Sequence, residues 1–243
     1  MLTFLRSKKD RADDAAGRMG LVGAKGSLAF EKISIEVPSG EMDIADIAAQ
    51  VEPRSDLTAE MNAWKTANME NINRGLVKIL NAKDLEIPTF YGALWAKHIV
   101  KGGEQIDYSL VSLRVVTNAG VGYIVDAFQT STGVELENMK YHGLGTGTNA
   151  EAAGDTALQT ELTTEYNNGG NIRATGTTTE SASNVYVTVA TNTVDASAAI
   201  TEHGIFSASS SGVFLDRSVF SVINLASGDS LQTTYSLTFT AGG

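Results

Sequence analysis

With 243 residues, 42% hydrophobic and 19% charged, the chain can build one large domain or a modest domain with a smaller companion, and it is no disordered polyelectrolyte. It contains no cysteine, which excludes disulfides, thiolate catalysis and thiolate metal sites. A net charge of -10 argues against a general nucleic-acid binder, since attraction to phosphate needs a basic surface.

The first 26 residues are polar, rich in Gly and Ala, and without a hydrophobic period, so we expect an extended arm over residues 1–26. The apolar start Leu2 to Leu5 breaks at once into Arg6-Ser7-Lys8-Lys9-Asp10. No apolar run nears the roughly 20 residues of a membrane span, so neither a signal peptide nor a membrane span is expected. The arm carries Arg6, Lys8, Lys9, Arg11, Arg18 and Lys25 against Asp10, Asp13 and Asp14, a local net of +3. From Tyr141 onward nine acids face only two bases, Arg173 and Arg217, a net of -7. A basic head on an acidic body predicts that the arm meets an acidic surface, such as the body of a neighbouring copy, and another subunit is the simplest tie for such a terminus.

Residues 28–38 place Ile33, Ile35 and Val37 in alternation with Lys32, Ser34 and Glu36, the two-residue period of a half-buried strand ending at Pro38. Ser39 is positioned to cap a short helix that runs to about Val51 and closes at Pro53. Leu57, Met61, Trp64, Ile72, Leu76 and Leu80 trace one helical face over Asp56–Leu80, with Ser55 or Asp56 as the N-cap and Asn81 as the stop. In residues 81–103, Phe90-Tyr91-Gly92-Ala93-Leu94-Trp95 fits a strand or a buried helix equally well. Glu104–Val116 reads as a strand, and Ala119–Phe128 as a helix with Val121, Ile124, Val125 and Phe128 on its apolar face.

After Tyr141 the composition turns to β-sheet chemistry: 30 of the last 103 residues are Ser or Thr, and apolar residues come in short alternating runs. Strands are predicted at Val185–Val189, Gly204–Phe206, Ser218–Phe220 and Leu231–Phe239. Asn167-Asn168-Gly169-Gly170, Ser211-Gly212 and Ser227-Gly228-Asp229 supply the turns between them. The expected fold is mainly β: the arm, an α+β N-terminal region over 27–115 with one long helix, and an antiparallel β-sandwich over 116–243.

Chemistry-bearing motifs are sparse. Leu144-Gly145-Thr146-Gly147-Thr148 is glycine-rich but lacks the Lys-Ser/Thr pair of a P-loop, so a tight turn is the favoured reading over phosphate binding. His98, His142 and His203 show no metal-ligand spacing, and Glu202 beside His203 would face the opposite side of a strand. Glu135, Glu137, Glu151 and Asp155 read as solvated surface, no twelve-residue calcium loop occurs, and no Gly-x-Ser-x-Gly elbow is present. We therefore expect no catalytic residue, cofactor site or metal site. Arg217, a lone base flanked by apolar residues, is expected to form a structural ion pair, with Glu202 as its candidate partner because the adjacent Asp216 cannot share its face.

In order along the chain stand Val116-Thr117-Asn118-Ala119-Gly120, Gly145-Thr146-Gly147-Thr148, Asp155-Thr156-Ala157-Leu158 with Glu161, Ile200–Phe206, Leu215–Phe220 and Ser227-Gly228-Asp229-Ser230-Leu231. In this series the residues from Val116 to Phe239, about half the chain, resemble a β-rich module of tailed-bacteriophage virion proteins found in tail fibres, baseplates and head-associated proteins. The resemblance implies a non-enzymatic structural role in a virion assembled in the host cytoplasm. The long repetitive shaft of a fibre protein is missing, and no heptad seam occurs. The leading expectation is a capsid decoration or cement protein, a homo-oligomer that binds the major capsid protein or other virion subunits and no nucleic acid, membrane or small molecule. A tail fibre, adaptor or baseplate component is the alternative. A carbohydrate-binding module is a remoter one, disfavoured because Trp64 and Trp95 lie outside the β module.

Overall fold

A computed structural model describes residues 44–84, 89–128, 135–164, 166 and 172–240. The arm, its six bases, the segment 28–38, the Ser39 cap and the turn at residues 167–170 lie outside the described residues.

Helix α1 (Ile44–Val51) buries Ile47 and Val51 and is followed by Pro53. Helix α2 (Ala59–Asp84) starts three residues later than the sequence suggests. Its cap is neither Ser55 nor Asp56 but Thr58, whose Oγ1 accepts the Met61 N–H at 3.2 Å. It also runs past Asn81, because Asn at that position tolerates a helical conformation and no glycine is there to reverse the chain. Met69, Ile72, Leu76, Ile79 and Leu80 form its buried face.

The ambiguous stretch is strand β1 (Thr89–Ile99), which forms a hairpin with β2 (Gln105–Val115) through the positive-φ glycines Gly102 and Gly103. Helix α3 (Asn118–Ala127) follows, then a 3-10 turn (Leu136–Asn138) and strands β3 (Tyr141–Gly145), β4 (Ala174–Thr175), β5 (Thr177–Ala182), β6 (Val185–Thr193), β7 (Ala198–Phe206), β8 (Phe214–Leu225) and β9 (Ser230–Thr240). The β7–β8 loop turns through Ser211 and Gly212, and the β8–β9 turn through Gly228, all at positive φ.

Two antiparallel sheets result, ordered β2-β1-β9-β6-β5 and β4-β3-β7-β8. They enclose a core that includes Leu94, Val111, Leu144, Ile200, Ile205, Ile223, Leu231 and Tyr235, and the chain is a mainly β, sandwich-like protein. A boundary at residue 116 does not divide it. Strand β1 pairs with β9 along its whole length, from Thr89↔Thr240 to Ile99↔Ser230, so two strands from before that boundary complete the first sheet.

Helix α2 lies over the seam between β2 and β8. Trp64 Nε1 donates to Ser221 O and Val222 O at 3.0 and 2.9 Å, and Asn68 accepts Ser221 N–H at 2.8 Å while donating to Val111 O at 2.9 Å. Lys65 Nζ reaches Tyr108 O at 3.3 Å. These side chains satisfy edge groups that a further strand would otherwise pair. Gly75 brings the helix close: a Cβ there would stand 1.7 Å from Leu113 O. We expect Gly75→Ala to destabilise by about 1–3 kcal/mol, since overpacking against backbone outweighs the ~1 kcal/mol gain in helix propensity. A rise in the urea midpoint would contradict this.

Helix α3 does not present the expected face. Gly120, Tyr123 and Ile124 are buried, whereas Val121, Val125 and Phe128 are exposed, Phe128 at 86%. The physical reason lies at its start. Thr117 caps the helix by accepting the Gly120 N–H at 3.0 Å and donates its hydroxyl to Phe214 O at 2.7 Å, and Gly120 packs directly on the Leu215 backbone. The glycine's lack of a side chain, rather than the bulk of the valines, decides which side meets β8.

Candidate functional site

Most of the buried ionisable groups gather at three places, each of which includes residues of the second sheet. In the β7–β8 ladder Glu202 is paired with Val219 and Gly204 with Arg217, which makes Glu202 and Arg217 diagonal neighbours on one face. Arg217 Nε lies 2.8 Å from Glu202 Oε2, and both residues are buried. His203, next in sequence, points to the opposite face, as strand alternation requires.

Glu202 is also the anchor of the glycine-rich loop. Its Oε1 accepts the N–H groups of Gly147 at 2.9 Å and Thr160 at 2.7 Å, and its Oε2 accepts that of Gln159 at 3.0 Å. A Cβ on Gly145 or Gly147 would come within 2.5 Å of Oε1. The two glycines therefore let the loop wrap an anion, and that anion is the chain's own carboxylate. Asp155 completes the enclosure, 3.2 Å from Arg217 Nη1 while accepting Ala152 N–H at 2.9 Å. Arg173 makes the companion tie: its Nε and Nη2 grip Glu161 at 2.6 and 3.0 Å, its Nη1 donates to Ala208 O at 3.0 Å and to Ser211 O, and its guanidinium lies 3.3 Å from the centroid of the Phe206 ring.

A second cluster sits where α2 meets the sheets. Arg114 is 1% exposed; it donates to Asn71 O at 3.1 Å, Val219 O at 2.7 Å and Leu113 O, and its Nε faces Glu151 Oε1 at 3.5 Å. Arg74 approaches the other oxygen of Glu151 at 3.4 Å. Burial draws the Arg114 guanidinium down to about 10, against the opposing pull of Glu151 and Asp216. Burial pushes the Asp216 carboxyl up to about 7, even though Arg114 and the Tyr235 hydroxyl, which donates to its Oδ2 at 3.1 Å, favour the charged form. Asp216 Oδ1 has no hydrogen-bond partner. Glu151 and Asp155, expected on solvated surface, are thus partners of arginines, Glu151 buried and Asp155 half-buried. Glu135 and Glu137 are exposed.

The third cluster joins two of the three histidines between the sheets. His203 Nε2 lies 3.0 Å from His142 Nδ1, which is also 2.8 Å from Thr233 Oγ1, while His142 Nε2 is 3.2 Å from Thr188 Oγ1. Burial lowers His142 to about 3, and burial plus the neighbouring ring takes His203 well below its ordinary value. Both rings therefore work as neutral hydrogen-bonding groups. The third, His98, pairs with Asp229 at 2.7 Å near the β8–β9 turn. Burial pushes the Asp229 carboxyl up, but the N–H groups of Lys101 and Ala226 and the His98 ring prevail and hold it below the ordinary range.

Among the described residues no group of three His, Cys, Asp or Glu side chains is placed to hold a metal ion, and no helix is long and apolar enough to cross a membrane. The ion pairs are scaffold: they fix loops onto a sheet. Of the acids after Tyr141, only Glu180 and Asp195 are exposed among those described, the others being buried or half-buried. The sequence pattern revealed the Arg217–Glu202 pair and missed the glycine cradle around it, although Gly145-x-Gly147 was the available signal. Apolar side chains instead mark the exterior, with Val121 and Val125 on α3, Phe128 at its C-cap and Leu136 close behind in sequence. Compared with known proteins, the chain matches no family model and no curated protein.

Proposed function

We propose that the protein is a bacteriophage virion structural protein that decorates or cements the head, gripping neighbouring subunits through its basic arm and its β-sandwich. The observation that carries this reading is the division of labour on the molecule. The buried charges are committed to holding loops and sheets in place, while α3 and its C-cap present Val125 and Phe128, 52% and 86% exposed, to the outside. Apolar side chains grouped on an exterior helix suit a contact with another protein. The ordered series of motifs from Val116 to Phe239 adds its resemblance to virion modules. Many identical weak contacts on a symmetric particle sum to firm attachment, so each interface can be modest.

The test is stoichiometric. Purified particles should contain this chain in a copy number close to that of the major capsid protein, and heads lacking it should burst more readily. A few copies per particle would select the tail fibre, adaptor or baseplate reading, and stabilisation against heat by a soluble sugar would select a carbohydrate-binding module. Deleting Met1–Gly26 should leave the sandwich folded and abolish attachment. Unchanged incorporation of the truncated chain would remove the arm from the mechanism.

A further inference from the structure

A receptor for an anion has donors that converge on one point and stay aimed when the anion is taken away. The glycine-rich loop meets the first condition. Gly147 and Thr160 turn their N–H groups onto Oε1 of Glu202 at 2.9 and 2.7 Å, while Gln159 N–H and Arg217 Nε reach Oε2 at 3.0 and 2.8 Å. Four donors, one of them charged, thus enclose a single carboxylate. The space is shaped to that group, because a Cβ on Gly145 or Gly147 would stand 2.5 Å from Oε1.

The second condition is met by bonds in which Glu202 takes no part. Thr146 N–H donates to Thr160 O at 3.0 Å and Leu162 N–H to Leu144 O at 2.9 Å, which closes the two ends of the loop. Gln159 Oε1 accepts the N–H groups of Thr148 and Asn149, each at 2.9 Å, and Thr201 Oγ1 donates to Gly147 O at 2.9 Å. Gly147, Gln159 and Thr160 are each held by one of these bonds, so their N–H groups keep their direction. Asp155 fixes the Arg217 guanidinium from the other side at 3.2 Å.

We propose that this loop, with Arg217, is a binding site for a small monocarboxylate, complete without Glu202, which serves as its tethered ligand. The part of the Glu202 side chain beyond Cβ is a methylene and a carboxylate, the skeleton of acetate. Glu202→Ala removes that skeleton and leaves a cradle of acetate's size with its donors in place. In the natural chain Glu202, 0% exposed, keeps the cradle, because a tethered carboxylate acts at an effective concentration above that of the free acid. Such a site needs neither a particle nor a second subunit, so its failure leaves the particle reading standing.

The test is rescue by the free acid. Full-length Glu202→Ala is refolded, then unfolded in urea at neutral pH, in sodium chloride or in sodium acetate of equal ionic strength. Acetate at about 0.3 M should raise its midpoint above the chloride value by at least about a quarter of what the substitution removes, since a ligand that binds only the folded chain stabilises it by mass action. The natural chain, whose cradle is filled, should show no such rise. Butyrate, with two further methylenes and no room for them beside the remaining Cβ, should rescue less than acetate. A midpoint no higher in acetate than in chloride overturns the proposal, and so does an equal rise in the natural chain or with butyrate. Where Glu202→Ala does not fold in chloride, circular dichroism after refolding in acetate decides: the natural spectrum supports the site, and a chain unfolded in both salts overturns it.

Discussion

Glu202→Ala is expected to cost about 3–5 kcal/mol of folding stability, the range for removing one partner of a buried ion pair. The size follows from the number of groups left stranded. Arg217 would keep its charge at 4% exposure with only the partly exposed Asp155 to answer it, and the N–H groups of Gly147, Gln159 and Thr160 would lose their common acceptor. A double substitution separates the two contributions. Glu202→Met with Arg217→Met removes both charges, so it should recover the part of the loss that belongs to the unpaired guanidinium. It should not recover the part that belongs to the backbone donors, of which the buried Gly147 N–H counts most, at about 1–3 kcal/mol for a buried donor without a partner. Urea unfolding of the two variants gives both numbers. A loss below about 1 kcal/mol for Glu202→Ala would show that the loop at residues 146–161 holds its shape without the carboxylate.

That pair was legible in the sequence for a definable reason. A lone base among apolar residues in an acidic stretch has few ways to be buried, and the strand period forbids its neighbour Asp216 from serving it. The strands after Tyr141 were legible because β-branched residues in strict alternation, punctuated by Gly, leave no competing helical reading. The face of α3 was misread because a periodicity count credits Val121, Val125 and Phe128 for bulk and gives Gly120 nothing, whereas close approach to the Leu215 backbone depends on the missing side chain. The boundary at residue 116 was misplaced because composition changes there while hydrogen bonding does not: β1 reaches across some 140 residues of sequence to β9, a pairing no local pattern records. Glu151 was read as surface for a related reason. Its partners Arg74 and Arg114 precede it by 77 and 37 positions and come together only when α2 closes the seam.

Stability should rise with pH across the acid range, and the buried histidines set the slope. His142 takes up a proton near pH 6.5 when unfolded and only near about 3 when folded; His203 behaves likewise, with its folded value well below 6.5. Between these limits the unfolded chain binds more protons at both sites, so each contributes about 1.4 kcal/mol of added stability per pH unit. Asp216 acts in the other direction. Its folded value of about 7 against 3.8 unfolded means that the folded chain holds the extra proton between those values, so this group alone lowers stability as pH rises through that window. While both folded rings stay neutral below pH 6.5, two histidines against one aspartate leave a net slope of about 1.4 kcal/mol per pH unit. Below about pH 4 the aspartate is protonated in both states and stops opposing, so the slope steepens. His203→Gln keeps a hydrogen-bonding side chain between the sheets without a titrating ring; it should flatten the dependence between pH 4 and 6.5 to near zero. Asp216→Asn should steepen it to about 2.7 kcal/mol per unit. Chemical denaturation of the three proteins over this range decides the matter. A slope in His203→Gln equal to that of the natural chain would mean that the His142–His203 pair is already protonated in the folded state.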